Sequence, residues 1–453
     1  MNNNSLVNTA EIALGSGIVI SVALFGGTEP VSFAAVEVLF FGTAAWIIVK
    51  RSPLLVQRPM LLAVPAFLAL WGLLQICPLP AGLARLVGPP HIGTSGSTVL
   101  SLAQYQTRAE LLVLLTCLIA FLLTSYVSGE RTRKRRLAYV LVGLGLAEAF
   151  YGLVQYLANW QTIWWYSKKY DVQEATGTYI NRNHFAGLLE MILPFAVCFA
   201  LYEGERLAFN RTHRVRPSRQ AGPTTSGVSL WLAVAVVLMA ALVFSRSRMG
   251  ILAAIASLIV MFSLNALQKR TVPVAIGFVF LILSLSLAGW IGLRPALTRF
   301  EDLGQEMAGQ QATRLSIWPG ALKLIGERPL MGNGLGTFPI IYTQYQTSFL
   351  TQYVNHAHND YLEVASDLGI PAALALFGSI VWLLIRALRI SFRAESRFER
   401  NLSLACVGSI VAILLHSLTD FNLYIPANAL VFAVILGLTS ALTAGTPRSE
   451  ASA

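Results

Sequence analysis

Between Val354 and Gly369 the chain reads VNHAHNDYLEVASDLG, at the end of its longest polar loop and at the mouth of an apolar segment. If helical periodicity begins near His356, then Asp360, Glu363 and Asp367 follow at spacings of four, three and four. That register puts one imidazole and three carboxylates on a single face, with His358 and Tyr361 pointing elsewhere. Ionisable groups leading into a hydrocarbon-length helix are costly unless they line a hydrated cavity or pair with one another, so a functional site is the default reading. A neutral imidazole acting as general base on a hydroxyl fits the residue type, because its unperturbed pKa lies near working pH. For either histidine alone, a capping role beside a helix start is the plain alternative.

His356, His358 and Asp360 also spell H-x-H-x-D, a run that can ligate a metal. Its sixth position is Tyr361, and few of the chain's 6 histidines remain to complete a ligand set, so no metal is expected. A second constellation is cationic: Arg182 in NRNHFAG, Arg246 and Arg248 in SRSRMG, and Arg314 in ATRLSIW. Each guanidinium is a permanently charged planar fork that matches phosphate oxygens and suits a diphosphate held at a membrane surface. A lone arginine at a span end usually snorkels to headgroups. Several on the side of the histidine stripe point instead to displacement of a phosphorylated leaving group. Asn183, His184, and the pair His416 and Asp420 complete the candidate set. For that pair, mutual pairing on one helix face weighs equally with catalysis, and Asp420 could also orient another imidazole.

These groups need elements to hold them, and the composition dictates which. The chain has 453 residues, is 55% hydrophobic and only 12% charged, with a mean hydropathy of +0.62, which marks an integral membrane protein. Its apolar segments run near 20 residues without strand alternation, so the spans are helices. Twelve are expected: 12–27, 31–49, 60–77, 108–127, 137–158, 184–203, 228–244, 249–264, 271–290, 363–387, 402–420 and 427–444. The opening MNNNSLVNTAEI lacks a basic n-region and reads as leading into a retained helix. Four scattered cysteines form neither a disulfide framework nor a metal cluster.

The formal charge of +11 does not indicate nucleic acid, because the basic residues punctuate the spans. With the N-terminus in the cytoplasm they cluster in the inside loops, as the positive-inside rule requires. Both termini are then cytoplasmic, and all four candidate arginines face outside. The outside loop 159–183 carries Trp160, Trp164, Trp165 and Tyr166, the composition of an interfacial belt or a re-entrant segment. Ser245–Gly250 is a tight turn with two arginines and no adjacent acid. The organisation expected is spans one to nine over 1–290, a long outside loop over 291–361 with a helical stretch and the turn cluster GNGLG, and three spans with a tail over 362–453. D-x-D, P-loop and post-strand GxGxxG motifs are absent, which argues against nucleotide-sugar and magnesium-dependent chemistry. A lipid-borne donor fits better.

NRNHFAG (181–187), SRSRMG (245–250), RLSIWPGALKLIGERPLMGNGLGTF (314–338), HAHNDYLEVASDLGIPA (356–372) and HSLTDFNL (416–423) together resemble the O-antigen ligase and Wzy-type polymerase superfamily. The resemblance covers roughly the C-terminal three-fifths. It implies an all-α, GT-C-like polytopic fold and a cofactor-free, metal-independent inverting glycosyltransferase. Such an enzyme takes a glycan from undecaprenyl diphosphate at the periplasmic face of the inner membrane and passes it to an acceptor hydroxyl. His358, with His356 as second choice, would be the base. Arg246 or Arg248, with Arg314, would neutralise the departing diphosphate, assisted by Arg182. Asn183, His184, Asn359, Asp360, Tyr361, Glu363, His416 and Asp420 would line the substrate site. The acceptor is lipid A-core for a ligase, a growing glycan for a polymerase, or protein for a related branch. One long outside loop and no appended domain favour the ligase. A transporter of lipid-linked sugars would predict inverted repeats, and the sequence shows none.

Overall fold

In hydrocarbon, backbone N–H and C=O groups find partners only within the chain, so stretches of about 20 apolar residues close into helices. The computed structural model follows that rule. It describes residues 3–50, 59–80, 98–212, 225–268, 312–346 and 353–443, with a few single positions and the pair 91–92 between them. The first eight helices are α1 (Asn3–Ala23), α2 (Pro30–Val49), α3 (Pro59–Ile76), α4 (Gln104–Val127), α5 (Arg131–Leu157), α6 (Arg182–Thr212), α7 (Thr225–Phe244) and α8 (Arg248–Leu267). Then come α9 (Ala312–Glu327), α10 (Phe338–Ile341), α11 (Asp360–Leu368), α12 (Ile370–Arg393), α13 (Arg397–His416) and α14 (Pro426–Thr443). Two antiparallel strand pairs, His91–Ile92 with Thr98–Val99 and Thr162–Ile163 with Tyr166–Ser167, are the sheet content of the described residues.

The protein is an all-α, multi-pass membrane protein. Among the described residues ten helices are long and apolar enough to cross a bilayer, and α3 adds the shorter apolar stretch Leu62–Ile76. The expected ninth span, 271–290, lies outside the described residues apart from single positions. Two expected spans need correction. The stretch 363–387 is not one helix, because the chain bends at Gly369 (φ 81°) and divides into α11 and α12. The stretch 402–420 ends as a helix at His416, so Asp420 sits in the turn beyond it.

The bend at Gly369 has a cause outside the helix. Ile370 N–H donates to Pro329 O, and Gly332 N–H to Arg328 O, so the GNGLG turn lies against the end of α11. A Cβ on Gly369 would strike the carbonyl of Leu330, and one on Gly332 that of Asp367. Only glycine allows this approach at positive φ. The hydrogen bonds Asn333 N–H to Ser366 O and Gly334 N–H to Asp367 O complete the junction. From α3, Gln75 donates to the carbonyls of Met331 and Asp367 and accepts from Leu335 N–H.

Helix α6 is the centre of the bundle. Its most apolar stretch is 94% buried, against 28% for α2 and for α12. At the end away from the histidines, ion pairs join the elements: Arg133 to Glu11 (2.6 Å), Lys134 to Glu399 (3.1 Å) and Arg400 to Glu205 (3.2 Å). Those basic residues therefore have partners within the protein. At the other end Trp164 Nε1 donates to Ala23 O, while Trp165 is 79% exposed, as an interfacial side chain should be.

Candidate functional site

The stretch from Val354 to Asn359 is irregular, and α11 begins at Asp360 rather than at His356. Asn359 causes this, because its side chain accepts from Leu362 N–H and caps the helix. His356 is therefore off the helix, yet its Nδ1 lies 2.7 Å from Glu363 Oε1. The acidic face of α11 is buried and holds the neighbouring segments. Asp360 accepts from Ser417 Oγ and Leu423 N–H, Glu363 from Ala357 N–H, and Asp367 from Gly336 N–H and Tyr424 Oη. Tyr361 donates to Leu414 O and fastens α11 to α13.

The groups converge on Asp420, whose side chain is 1% exposed. Beyond α13, Asp420 N–H still donates to His416 O, and the chain continues through the 3-10 turn Asn422–Tyr424 into α14. Asn183 Nδ2 donates to Asp420 Oδ2 at 2.7 Å, and Arg314 Nη2 lies 3.7 Å from the same oxygen. Arg314 also donates to Thr419 O. On the Oδ1 side stand His358 Nδ1 at 3.8 Å and His184 Nε2 at 3.9 Å. Phe421 is a shared hydrophobic post: His356 stacks on it at 3.8 Å, while His184 and His358 meet it edge-on at 4.7 and 5.0 Å. Burial alone would raise the pKa of Asp420, but His358, Arg314 and His184 hold its carboxyl well below the usual carboxylate range. It is an anion at working pH.

The two histidines of HAH thus differ. His358 is half-buried, 31% exposed, and its neighbours are fixed. Trp318 Nε1 donates to Ala357 O, and Asn359 Nδ2 to Leu418 O. His356 is engaged with Glu363. Burial works against its charge, but the Glu363 carboxylate outweighs that and raises its pKa above the ordinary value of 6.5. A raised folded-state pKa means that the pair contributes stability fully below about pH 6.5, and that this is lost as pH rises through the folded value. The expected result is a thermal-stability gap between wild type and His356→Gln of about 1.5–3 kcal/mol at pH 5.5–6, narrowing as pH rises. A gap independent of pH would show that the pair carries no charge.

The arginines divide as well. Arg182 and Arg246 share the buried Glu174, at 2.9 and 3.5 Å, and Arg182 also pairs with Asp171 at 3.5 Å. Arg248 opens α8, half-buried, after its N-cap Ser247. The acid missing from the SRSRMG sequence is thus supplied by a distant loop. Among the described residues, His358, Arg246 and Asp171 are three of six non-glycine positions with positive φ, a conformation costing about 1–2 kcal/mol that concentrates at functional sites.

His416 pairs with a residue the sequence reading did not single out. Its Nδ1 lies 3.0 Å from both carboxylate oxygens of Glu190, closer than the 4.0 Å from its Nε2 to Asp420. His416 and Asp420 do stay within ion-pair reach, but Asp420 lies in the turn beyond α13 and not on its helix face. A lone acid inside the apolar stretch of α6 was a readable signal for Glu190. Glu174 and Asp171 carried none, because their partners are tertiary. His356, His358 and Asp360 face Glu363, Asp420 and Ser417 respectively, so H-x-H-x-D does not converge on one point.

Beside this centre, α3, α4, α12 and α14 enclose an apolar cavity of about 580 Å³. Its wall includes Leu423 and Tyr424, close in sequence to Asp420, and Glu110 of α4. No curated protein matches this chain. Residues 233–377, which contain the SRSRMG turn, Arg314 and the HAHND run, match the family model described as O-antigen ligase.

Proposed function

We propose that the protein is an inverting, metal-independent glycosyltransferase of the bacterial inner membrane, with cytoplasmic termini and a periplasmic site. It transfers a glycan from undecaprenyl diphosphate to an acceptor hydroxyl, and the reading is an O-antigen ligase acting on lipid A-core. The observation that carries it is the pairing of His358 and Arg314 on the two oxygens of one buried carboxylate, Asp420, beside an apolar cavity suited to a prenyl chain.

In this reading His358 Nδ1 faces Asp420, so Nε2 is the atom that takes the acceptor proton. The acceptor oxygen attacks the anomeric carbon, the bond from that carbon to the diphosphate oxygen breaks, and undecaprenyl diphosphate departs with the electron pair. The proton stays on His358, where Asp420 stabilises the imidazolium. Arg314, with Arg248 and Arg246, faces the charge developing on the diphosphate, where preplaced cations lower the barrier most. His356, engaged by Glu363, which favours its protonated form, is the less suited of the two to act as a base.

Purified protein given undecaprenyl-diphosphate-linked glycan and lipid A-core is expected to release undecaprenyl diphosphate without added metal. Deleting the gene and resolving the lipopolysaccharide on a gel separates the acceptors. Loss of the whole ladder, with no single-repeat band, is the result a ligase gives. A surviving core-plus-one-repeat band is the polymerase result and would overturn the ligase assignment.

A further inference from the structure

Glu190 and His416 are both fully buried, and they face one another across α6 and α13 at 3.0 Å. Glu190 lies eight positions after Arg182, so about 12 Å along α6 at 1.5 Å per residue. As a stabilising device the pair is poorly chosen, because an apolar pair of the same volume would pack there without desolvating a carboxylate. Its geometry instead points towards the site. With Nδ1 held by both oxygens of Glu190, the ring presents Nε2 to Asp420 Oδ2. That nitrogen is buried and makes no hydrogen bond of its own. His184 Nε2 and His358 Nδ1 share this arrangement, buried and aimed at the same carboxylate. α8 also leaves room: Gly250 packs over this part of α6, and a Cβ there would come within 3.4 Å of Glu190 Oε2 and 2.7 Å of Ala186 Cβ.

We propose that Glu190 is a positioning residue of this centre, acting through His416 and Asp420 on His358. It fixes the plane and hydrogen-bonded edge of the His416 ring. That ring, with Asn183 and Arg314, holds Asp420 Oδ2, while Oδ1 accepts from Phe421 N–H and faces His358 and His184. The inference rests on the transferase reading for its kinetic arm alone.

The test uses the full chain in nanodiscs, labelled with ¹⁵N-histidine. The chain has 6 histidines, and His358→Gln assigns the resonance of interest. In Glu190→Gln the ring nitrogens of His358 are expected to shift, although residue 190 does not touch residue 358. kcat for transfer is expected to fall about 10–50-fold with donor KM within about twofold, as for a group acting on the chemical step. In an Asp420→Asn background, Glu190→Gln is expected to add less than about a further twofold, since the two act in series. His416→Gln serves if Glu190→Gln does not fold, and should reproduce all three results. Unmoved His358 resonances in a folded variant, or effects that multiply in the double variant, overturn the proposal. If His358 shifts but the wild type transfers no glycan from any polyprenyl-diphosphate donor, the link between these residues stands and the transferase reading fails.

Discussion

Replacing His358 by alanine is expected to lower kcat for glycan transfer by about 10²–10⁴-fold, the range lost with a general base. Donor binding, measured separately, should stay within about twofold, because the base acts on the acceptor proton and not on the donor. Asp420→Asn should cost about 10³–10⁴-fold. The asparagine keeps the shape of the carboxylate but loses the charge that orients the imidazole and stabilises its protonated form. In the proposed reading His358 is the base, since it faces Asp420 with one ring nitrogen and is 31% exposed, whereas His356 is engaged by Glu363 at 2.7 Å. His356→Ala should therefore cost far less, about tenfold, through the lost contact with Glu363 and its effect on the neighbouring segment. The reverse ranking, with His358→Ala near wild type and His356→Ala inactive, would move the base to His356 and leave Asp420 without its role.

The second large effect concerns Arg314. Arg314→Ala should lower kcat/KM by about 10²–10³-fold, the loss seen when one preplaced donor to a developing anion is removed. Arg314→Lys should recover only part of this, since lysine keeps the charge but cannot reach Thr419 O and a phosphate oxygen with one planar fork. Removing Arg314 also takes a cation from beside Asp420, so both ends of the reaction weaken together. Arg182→Ala should act differently. Arg182 is held by Glu174 and Asp171, so its loss should appear as reduced thermal stability of the loop-to-α6 junction. A variant lacking the Arg314 side chain with undiminished transfer would detach the long loop from the chemistry.

Parts of the site were legible one residue at a time. The charged run at 354–369, the doubled arginines of SRSRMG and the histidine after Asn183 stand out because ionisable groups in an apolar chain are expensive and few. Their partners were not legible. Helical periodicity carried from His356 through Asp367 gave the wrong origin, because Asn359 caps the helix three residues later. The same error placed Asp420 on a helix face, when it lies in a turn free to accept groups from four directions. Glu190 was missed although it is the one acid in its apolar stretch.

Composition and hydropathy alone determined that this chain crosses a membrane many times as helices, because span length and backbone satisfaction in hydrocarbon are local requirements that each segment meets by itself. The motif residues in order likewise carried the resemblance that the family match over 233–377 supports. Tertiary structure alone decided which acid faces which cation. Glu174 neutralises Arg182 and Arg246 from a separate loop, and Glu190 reaches His416 from another span. It also brought Arg314, His184 and His358 to Asp420. Charge pairing depends on close approach between residues as much as 265 positions apart, and such proximity is a property of packing that no window along the chain contains.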